Sequence, residues 1–572
     1  MSAPASSSLQ AAPAAQAVKA AARPAFDVWR WVVFAGLAMS ALFVVWPLFE
    51  LVRQSFVGQI SKSFGLENFV TFFSSNYFMR ATYNSLWVAT GATLLTLLLG
   101  VPLAYAFSRY VFPGKPLLRV LVLLSMMSPP FIGAYAWIIL MGRAGIITEW
   151  VRDMGFAFPT IYGPTGIMFA SALSLYPIVF WVVGGAMKQL DHGLEEAASM
   201  LGRRPLVVFF TVTLPLLRPA LITSAMLVFL AMLADFGLPN LLGEGERFPV
   251  LATLAYNLFL SEIGEEPGMA AVTSVVLVLM AGLVVLAGQY FSKNSRVAND
   301  GAQRAALQTP TAGKRYALAA ATLGVVALAN TPLLVVLVSS FLEVRGAVFQ
   351  PVFTLGNYQN ALNLMGNALT NSLIYAGLAL VFATVVGAAL GYVLTRRSDR
   401  YSRLLDFLVM VPFIVPGTVL GIGFAQVFNT PPLLLTGTAS VIVLVYFIRR
   451  LPYVTRSSAS IVHQIDVALE EASASLGVRP LGTFRRIMLP LMRPGILAGM
   501  VLAWLEIFNE LSASIVLYTG ATKTLPIAAY QQAFGGDFGV AAAYSGMLIA
   551  VTTVSLGLAL LLGGTESAHQ KV

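Results

Sequence analysis

The sequence predicts an all-α polytopic membrane protein of about twelve transmembrane helices arranged as two parallel six-helix repeats. Three observations carry this expectation. Mean hydropathy is +0.80 with only 10% charged residues, apolar runs recur along all 572 residues, and the landmarks of the chain occur twice. An ordinary soluble domain carries roughly 25% charged residues, and so many long apolar runs would leave a water-soluble fold without a polar surface.

In chain order, residues 1–27, rich in Ala, Pro and Ser, read as a disordered cytoplasmic tail. A cleaved leader is not expected, because the first apolar run is long and ends in WPLFELVRQS instead of a small-residue cleavage site. Runs of about 20 residues, the length that crosses a bilayer, then lie near 28–52, 84–108, 117–141, 161–186, 217–240 and 269–291, forming a first repeat over 28–291. A polar cytoplasmic linker occupies 292–316. The second repeat, 317–565, has runs near 317–341, 369–394, 404–428, 432–448, 495–517 and 540–563, followed by a cytoplasmic tail at 566–572. Pro129-Pro130, Pro412 and Pro416 interrupt the third and ninth runs, which membrane helices tolerate where neighbours satisfy the freed backbone groups.

The formal charge of +10 is distributed by topology. Arg109, Lys115 and Arg119 share one loop, Lys188, Arg203, Arg204 and Arg218 a second, and Arg396, Arg397, Arg400 and Arg403 a third. With alternating spans these loops lie on one side, whereas Glu244, Glu246, Glu262, Glu265 and Glu266 fall on the other. The positive-inside rule makes the basic side, and with it both termini, cytoplasmic. No nucleic-acid partner is implied; membrane lipid is. The chain has no cysteine and three histidines, so disulfides are excluded and no metal site is expected. His192 and His463 occupy non-equivalent positions beside the two polar segments discussed next and read as surface residues.

The duplication is explicit. Asn84-Ser85-Leu86 recurs as Asn371-Ser372-Leu373, and GVPLAYAFSRY (100–110) as GAALGYVLTRR (387–397), both displaced by 287. EEAASMLGRRPLVVFFTVTLP (195–215) recurs as EEASASLGVRPLGTFRRIMLP (470–490), displaced by 275. An even number of spans per half gives both halves the same orientation, with a shared pathway between them. The two polar segments, within 190–219 and 465–494, are cytoplasmic by the same topology. Glu195 to Leu201 and Glu470 to Leu476 favour helix, and Gly202 and Gly477 end it. Pro205 and Pro480 suit the first turn of a second short helix, which Leu214-Pro215 and Leu489-Pro490 are expected to end. A generic connector needs no fixed register; here it is kept twice.

These segments resemble the EAA loop of ATP-binding-cassette importer permeases: Glu-Ala-Ala, three residues, Gly, nine residues, Ile, one residue, Leu-Pro. Glu196-Ala197-Ala198, Gly202, Val212 and Leu214-Pro215 match with Val for Ile; Glu471-Ala472-Ser473, Gly477, Ile487 and Leu489-Pro490 match with Ser for Ala. The resemblance implies a type I importer architecture in which each loop seats a coupling helix on a cytoplasmic ATPase subunit. Two copies of that subunit, and a periplasmic or extracellular solute-binding protein, would then be partners in a bacterial inner membrane. Glu195 and Glu470, which open the segments, join these coupling candidates. The chain lacks a phosphate-binding loop, since Gly520-Ala-Thr-Lys-Thr has no preceding glycine at the required spacing. Hence no cofactor is expected on this chain, and ATP is left to the partners. Phrases such as LADFGLPNLLG are similar to ferric-iron import permeases; permeases for thiamine, phosphonate, polyamine or sugar phosphate share the layout.

Charges within spans are functional candidates by default. Glu506, Asn509 and the equivalent pair Asp235 and Glu510 are candidates to line the pathway and attract cationic cargo. An ion-coupled secondary transporter is the competing reading, because it also often has twelve spans in two halves; the paired cytoplasmic loops favour the ATP-driven one. A membrane enzyme would need a cluster of acids, histidines or metal ligands near one bilayer face.

Overall fold

The computed structural model describes residues 27–58, 62–190, 193–261, 267–293, 308–345, 348–431 and 433–569. The first repeat runs through α1 (Val28–Ser55), α2 (Glu67–Ser74), α3 (Asn76–Arg109), α4 (Lys115–Met127), α5 (Pro130–Met141), α6 (Ile146–Asp153) and α7 (Pro164–Met187). It continues with α8 (Gly193–Met200), α9 (Pro205–Leu216), α10 (Arg218–Ala234), α11 (Gly237–Gly243), α12 (Leu251–Leu260) and α13 (Pro267–Lys293). The second repeat opens with α14 (Ala312–Ser339) and the antiparallel strands β1 (Leu342–Arg345) and β2 (Val348–Phe353), in which Leu342 faces Phe353 and Val344 faces Phe349. Then follow α15 (Gly356–Met365), α16 (Asn367–Arg396), α17 (Arg400–Ile414), α18 (Gly417–Val427) and α19 (Ala439–Val462). The chain ends through α20 (Ala468–Ser475), α21 (Pro480–Phe508), α22 (Ser514–Leu517), α23 (Leu525–Phe534) and α24 (Phe538–His569). Most of the expected N-terminal tail, the body of the linker, the last residues and His192 lie outside the described residues.

Among the described residues nine helices are long and apolar enough to cross a membrane, or up to eleven if α9–α10 and α17–α18, bent by 72° and 108°, each count as one span. The tenth expected run, 432–448, shifts, and the helix that holds it is not among these spans. Gly437 takes φ +81°, in the left-handed region that ends regular structure, and the helix begins only at Ala439. It then continues past the apolar run through Arg449, Arg450 and Arg456, because Leu451, Val454, Ser458 and Val462 extend its buried face. Pro129 and Pro416 each stand immediately before a helix, α5 and α18, the latter the second half of a bent pair, whereas Pro412 stays inside α17.

Equivalent residues make equivalent contacts in the two repeats. α3 packs along α7 as α16 packs along α19, and a glycine sets each crossing. A β-carbon on Gly100 would lie 2.6 Å from Val179 Cβ, and one on Gly387 2.8 Å from Val454 Cβ. The duplicated Asn-Ser also has one task in both halves. Ser85 Oγ accepts from the Leu251 amide at 2.8 Å and Ser372 Oγ from that of Leu525 at 2.7 Å, pinning the starts of α12 and α23. Asn84 donates to the Pro249 carbonyl, and Asn371 to those of Ala521 and Lys523. The halves interlock through their first helices: α1 packs on α17 and α18 of the other repeat, and α14 on α4 and α5.

Candidate functional site

Each polar segment is a short helix, a glycine-reversed turn and a second helix that enters the membrane. Gly202 and Gly477 adopt φ +76° and +77°, a region a β-carbon disfavours, and no heavy atom would stand within 4 Å of a β-carbon at either position. Conformation, not crowding, demands the glycines. The expectation that Leu214-Pro215 and Leu489-Pro490 end the second helix is overturned. In both copies the chain stays helical through the proline, after a π-helical turn at Phe209–Thr213 and Phe484–Met488. The Leu214 amide reaches back to the Phe209 carbonyl, and that of Leu489 to Phe484. Widening the turn directly before the proline accommodates its missing donor and its ring. The first copy bends at Leu217, whereas α21 runs on unbroken through Pro490 and Pro494.

Two adjacent glutamates in each segment have opposite fates. Glu196 and Glu471 are exposed, as are Ala197 and Ala472, while Ala198 is half-buried. Ser473 turns inward and shares a 2.8 Å hydrogen bond with the Thr483 hydroxyl. Glu195 also faces in: its Oε1 accepts from Arg109 Nη2 at 2.7 Å and from Thr213 Oγ1 at 2.6 Å. Glu470 repeats this, with Oε1 accepting from Arg396 Nε at 2.7 Å and Oε2 from the Tyr392 hydroxyl at 2.6 Å. Arg109 and Arg396 are equivalent residues at the inner ends of α3 and α16. The carboxylates therefore clamp each short helix to a long membrane helix and face inward.

Apolar side chains face outward beside the exposed Glu196 and Glu471. Leu201 and Leu206 are 83% and 73% exposed, and their equivalents Leu476 and Leu481 are 84% and 55% exposed. Sequence reasoning passed over these leucines, although apolar residues repeated at one register inside polar segments were the available signal. Large apolar groups held in water by a rigid helix mark an interaction surface.

The intramembrane candidates separate by half. Asp235 Oδ1 accepts from the amides of Gly237 at 3.1 Å and Leu238 at 3.4 Å, capping the start of α11. Glu510 caps α22 in the same way through the Ala513 amide at 3.1 Å. It is also gripped by two arginines, Arg449 Nη1 and Arg450 Nη2, each at 2.5 Å. Arg450 Nη1 reaches Glu506 at 3.2 Å, which brings Glu506 and Glu510 together. Asn509 lies between them, half-buried at the end of α21. Arg449 and Arg450 were not foreseen, and they neutralise the carboxylates expected to attract a cation. Among the described residues no group of three or more His, Cys, Asp or Glu is placed to hold a metal ion. His463 is exposed beyond the end of α19.

The model of one family, the binding-protein-dependent transport system inner membrane component, matches residues 96–297 and again 383–564, once in each repeat. The chain belongs to this family. It is thus a permease of an ATP-driven importer, a multi-pass inner-membrane transport subunit that works with an ATPase and a solute-binding protein. A ferric transport system permease protein of Actinobacillus pleuropneumoniae is 29% identical over 528 residues, 89% of the permease and 74% of the relative. A putative ferric transport system permease of Haemophilus influenzae is 28% identical, covering 85% and 77%. A molybdenum transport system permease of Mycobacterium bovis is 30% identical over 264 residues, 46% of the permease and 94% of the relative. The last matches a single repeat's length, as a fused two-repeat chain requires.

Proposed function

We propose that the permease imports ferric iron handed over by an external binding protein, and that two ATPase copies drive it, one docked on α8 and one on α20. Both termini and both docking helices lie on the cytoplasmic side, and ATP is bound by the partners alone. The observation that carries this reading is the repeated clamp, Arg109 to Glu195 and Arg396 to Glu470. Each clamp lets a displacement of a docked helix pull on the inner end of α3 or α16. Two equivalent surfaces argue for two ATPase copies, and ATP-driven closure then favours one arrangement of the repeats through differential binding. Ferric cargo is supported by the relatives that match most of the chain under that description.

Leu201→Glu combined with Leu476→Glu places charge on both apolar surfaces. ATPase co-purification should fall severalfold while the permease remains in the membrane at normal level; undiminished co-purification refutes the docking assignment. For cargo, proteoliposomes holding the permease, its ATPase and its binding protein should accumulate labelled ferric iron in preference to molybdate. Preference for molybdate refutes the iron assignment and leaves the coupling assignment standing.

A further inference from the structure

Arg450 holds two carboxylates of different kinds. Glu510 is 3% exposed and shared with Arg449, so removing either partner strands buried charge. Glu506 is 46% exposed and stands farther off, at 3.2 Å, so its pairing contributes little. Glu506 lies near the end of a membrane helix, and a carboxylate turned toward lipid is expensive. An open side turned to water along a pathway would avoid that cost. The polar line continues along α19: the Arg450 guanidinium sits 5.9 Å from the Tyr453 ring centre, and Arg456 pairs with Asp406 of α17 at 3.1 Å. In the first repeat the positions matching Arg449, Arg450 and Glu506 are Ser174, Leu175 and Ala231. The first repeat keeps only a carboxylate, Asp235, at the position of Glu510, so one repeat alone carries the arginines and Glu506.

We propose that Arg450 is an oxyanion subsite on the translocation pathway, occupied by Glu506 in this conformation and taken over by a carboxylate- or phosphate-type oxygen pair of the cargo. A guanidinium presents a planar fork that matches two oxygens of one group. Glu510 keeps the fork in place while Glu506 leaves. Once it has left, Arg449, Arg450 and Glu510 together carry one net positive charge, so the subsite selects an anionic group and disfavours a bare cation. The inference rests on the permease reading; ferric iron would meet Arg450 through the oxygens of its ligands.

The chain has no cysteine, so Glu506→Cys creates its single thiol. The permease–ATPase complex in nanodiscs is treated with an anionic sulfonatoethyl or a cationic trimethylammonioethyl methanethiosulfonate, with rates normalised to a separate His463→Cys variant. The anionic reagent should react at least about tenfold faster, inorganic phosphate should slow it, and added Arg450→Gln should bring the ratio to about one. No modification, rates independent of reagent charge, or a ratio that survives Arg450→Gln overturns the proposal. Should Arg450→Gln fail to assemble, phosphate protection decides, since it needs no change at Arg450, and its absence overturns the subsite. No cargo is used, so a wrong cargo assignment leaves this result intact, while loss of ATPase co-purification from unsubstituted permease strikes the importer reading alone.

Discussion

Glu195 and Glu196 are neighbours with the same side chain, yet only Glu195 meets Arg109, whose side chain is 4% exposed. Glu195→Ala should therefore cost about 3 kcal/mol, and Glu196→Ala within about 0.5 kcal/mol, read from thermal unfolding in detergent; equal losses contradict the inward clamp. The sequence places both residues on a polar helix but does not say which one faces in, because the answer depends on an arginine 86 positions earlier. That arginine, like Arg396, reads in the sequence only as a topology signal. Gly202 and Gly477 were legible, since a helix stop that adopts positive φ has a recognisable residue. Replacing both with Val forces a β-branched residue into a region that costs about 1–2 kcal/mol or more per position. ATPase co-purification and cargo uptake should both drop, while membrane insertion stays normal because the turns lie outside the spans. Normal values for both contradict the hinge.

At the scale of elements, α19 shows where hydropathy alone misplaces a helix. The apolar run stops at Ile448, and two arginines look like a cytoplasmic boundary. The helix begins later, after Gly437, and carries both arginines to mid-length. The short run, 17 residues against the roughly 20 a span needs, was the available warning. Arg449 and Arg450 are tolerable there because Glu510 and Glu506 of the neighbouring segment face them. Glu510→Leu should consequently destabilise the purified permease by about 3–5 kcal/mol, whereas Glu510→Leu with Arg449→Leu should recover part of that loss. Measured by thermal unfolding, a double variant weaker than the single one contradicts the pairing. The π turns before Pro215 and Pro490 were equally hidden. Proline reads as a stop in sequence, and only a widened turn lets the helix run through it.

Across the whole molecule, the repeat was visible in the sequence down to the residue. Its consequences in packing, from Gly100 and Gly387 to the serines that hold α12 and α23, follow the 287 and 275 displacements. The exchange of first helices between halves was not visible, because a span's hydropathy does not name its neighbour. That exchange joins the two halves through α1 and α14, so a pull on α3 or α16 is borne by an interlocked frame. The central claim is that the glutamate clamps carry ATPase motion into that frame, and the most direct test is the number of cargo ions moved per ATP hydrolysed in proteoliposomes. Glu195→Gln with Glu470→Gln weakens both clamps and leaves Leu201, Leu206, Leu476 and Leu481 in place. The ATPase should still dock and hydrolyse ATP, while cargo moved per ATP falls about thirtyfold, the weakening of two arginine–carboxylate pairs by about 1 kcal/mol each. An unchanged ratio, with the ATPase still bound, would contradict the account.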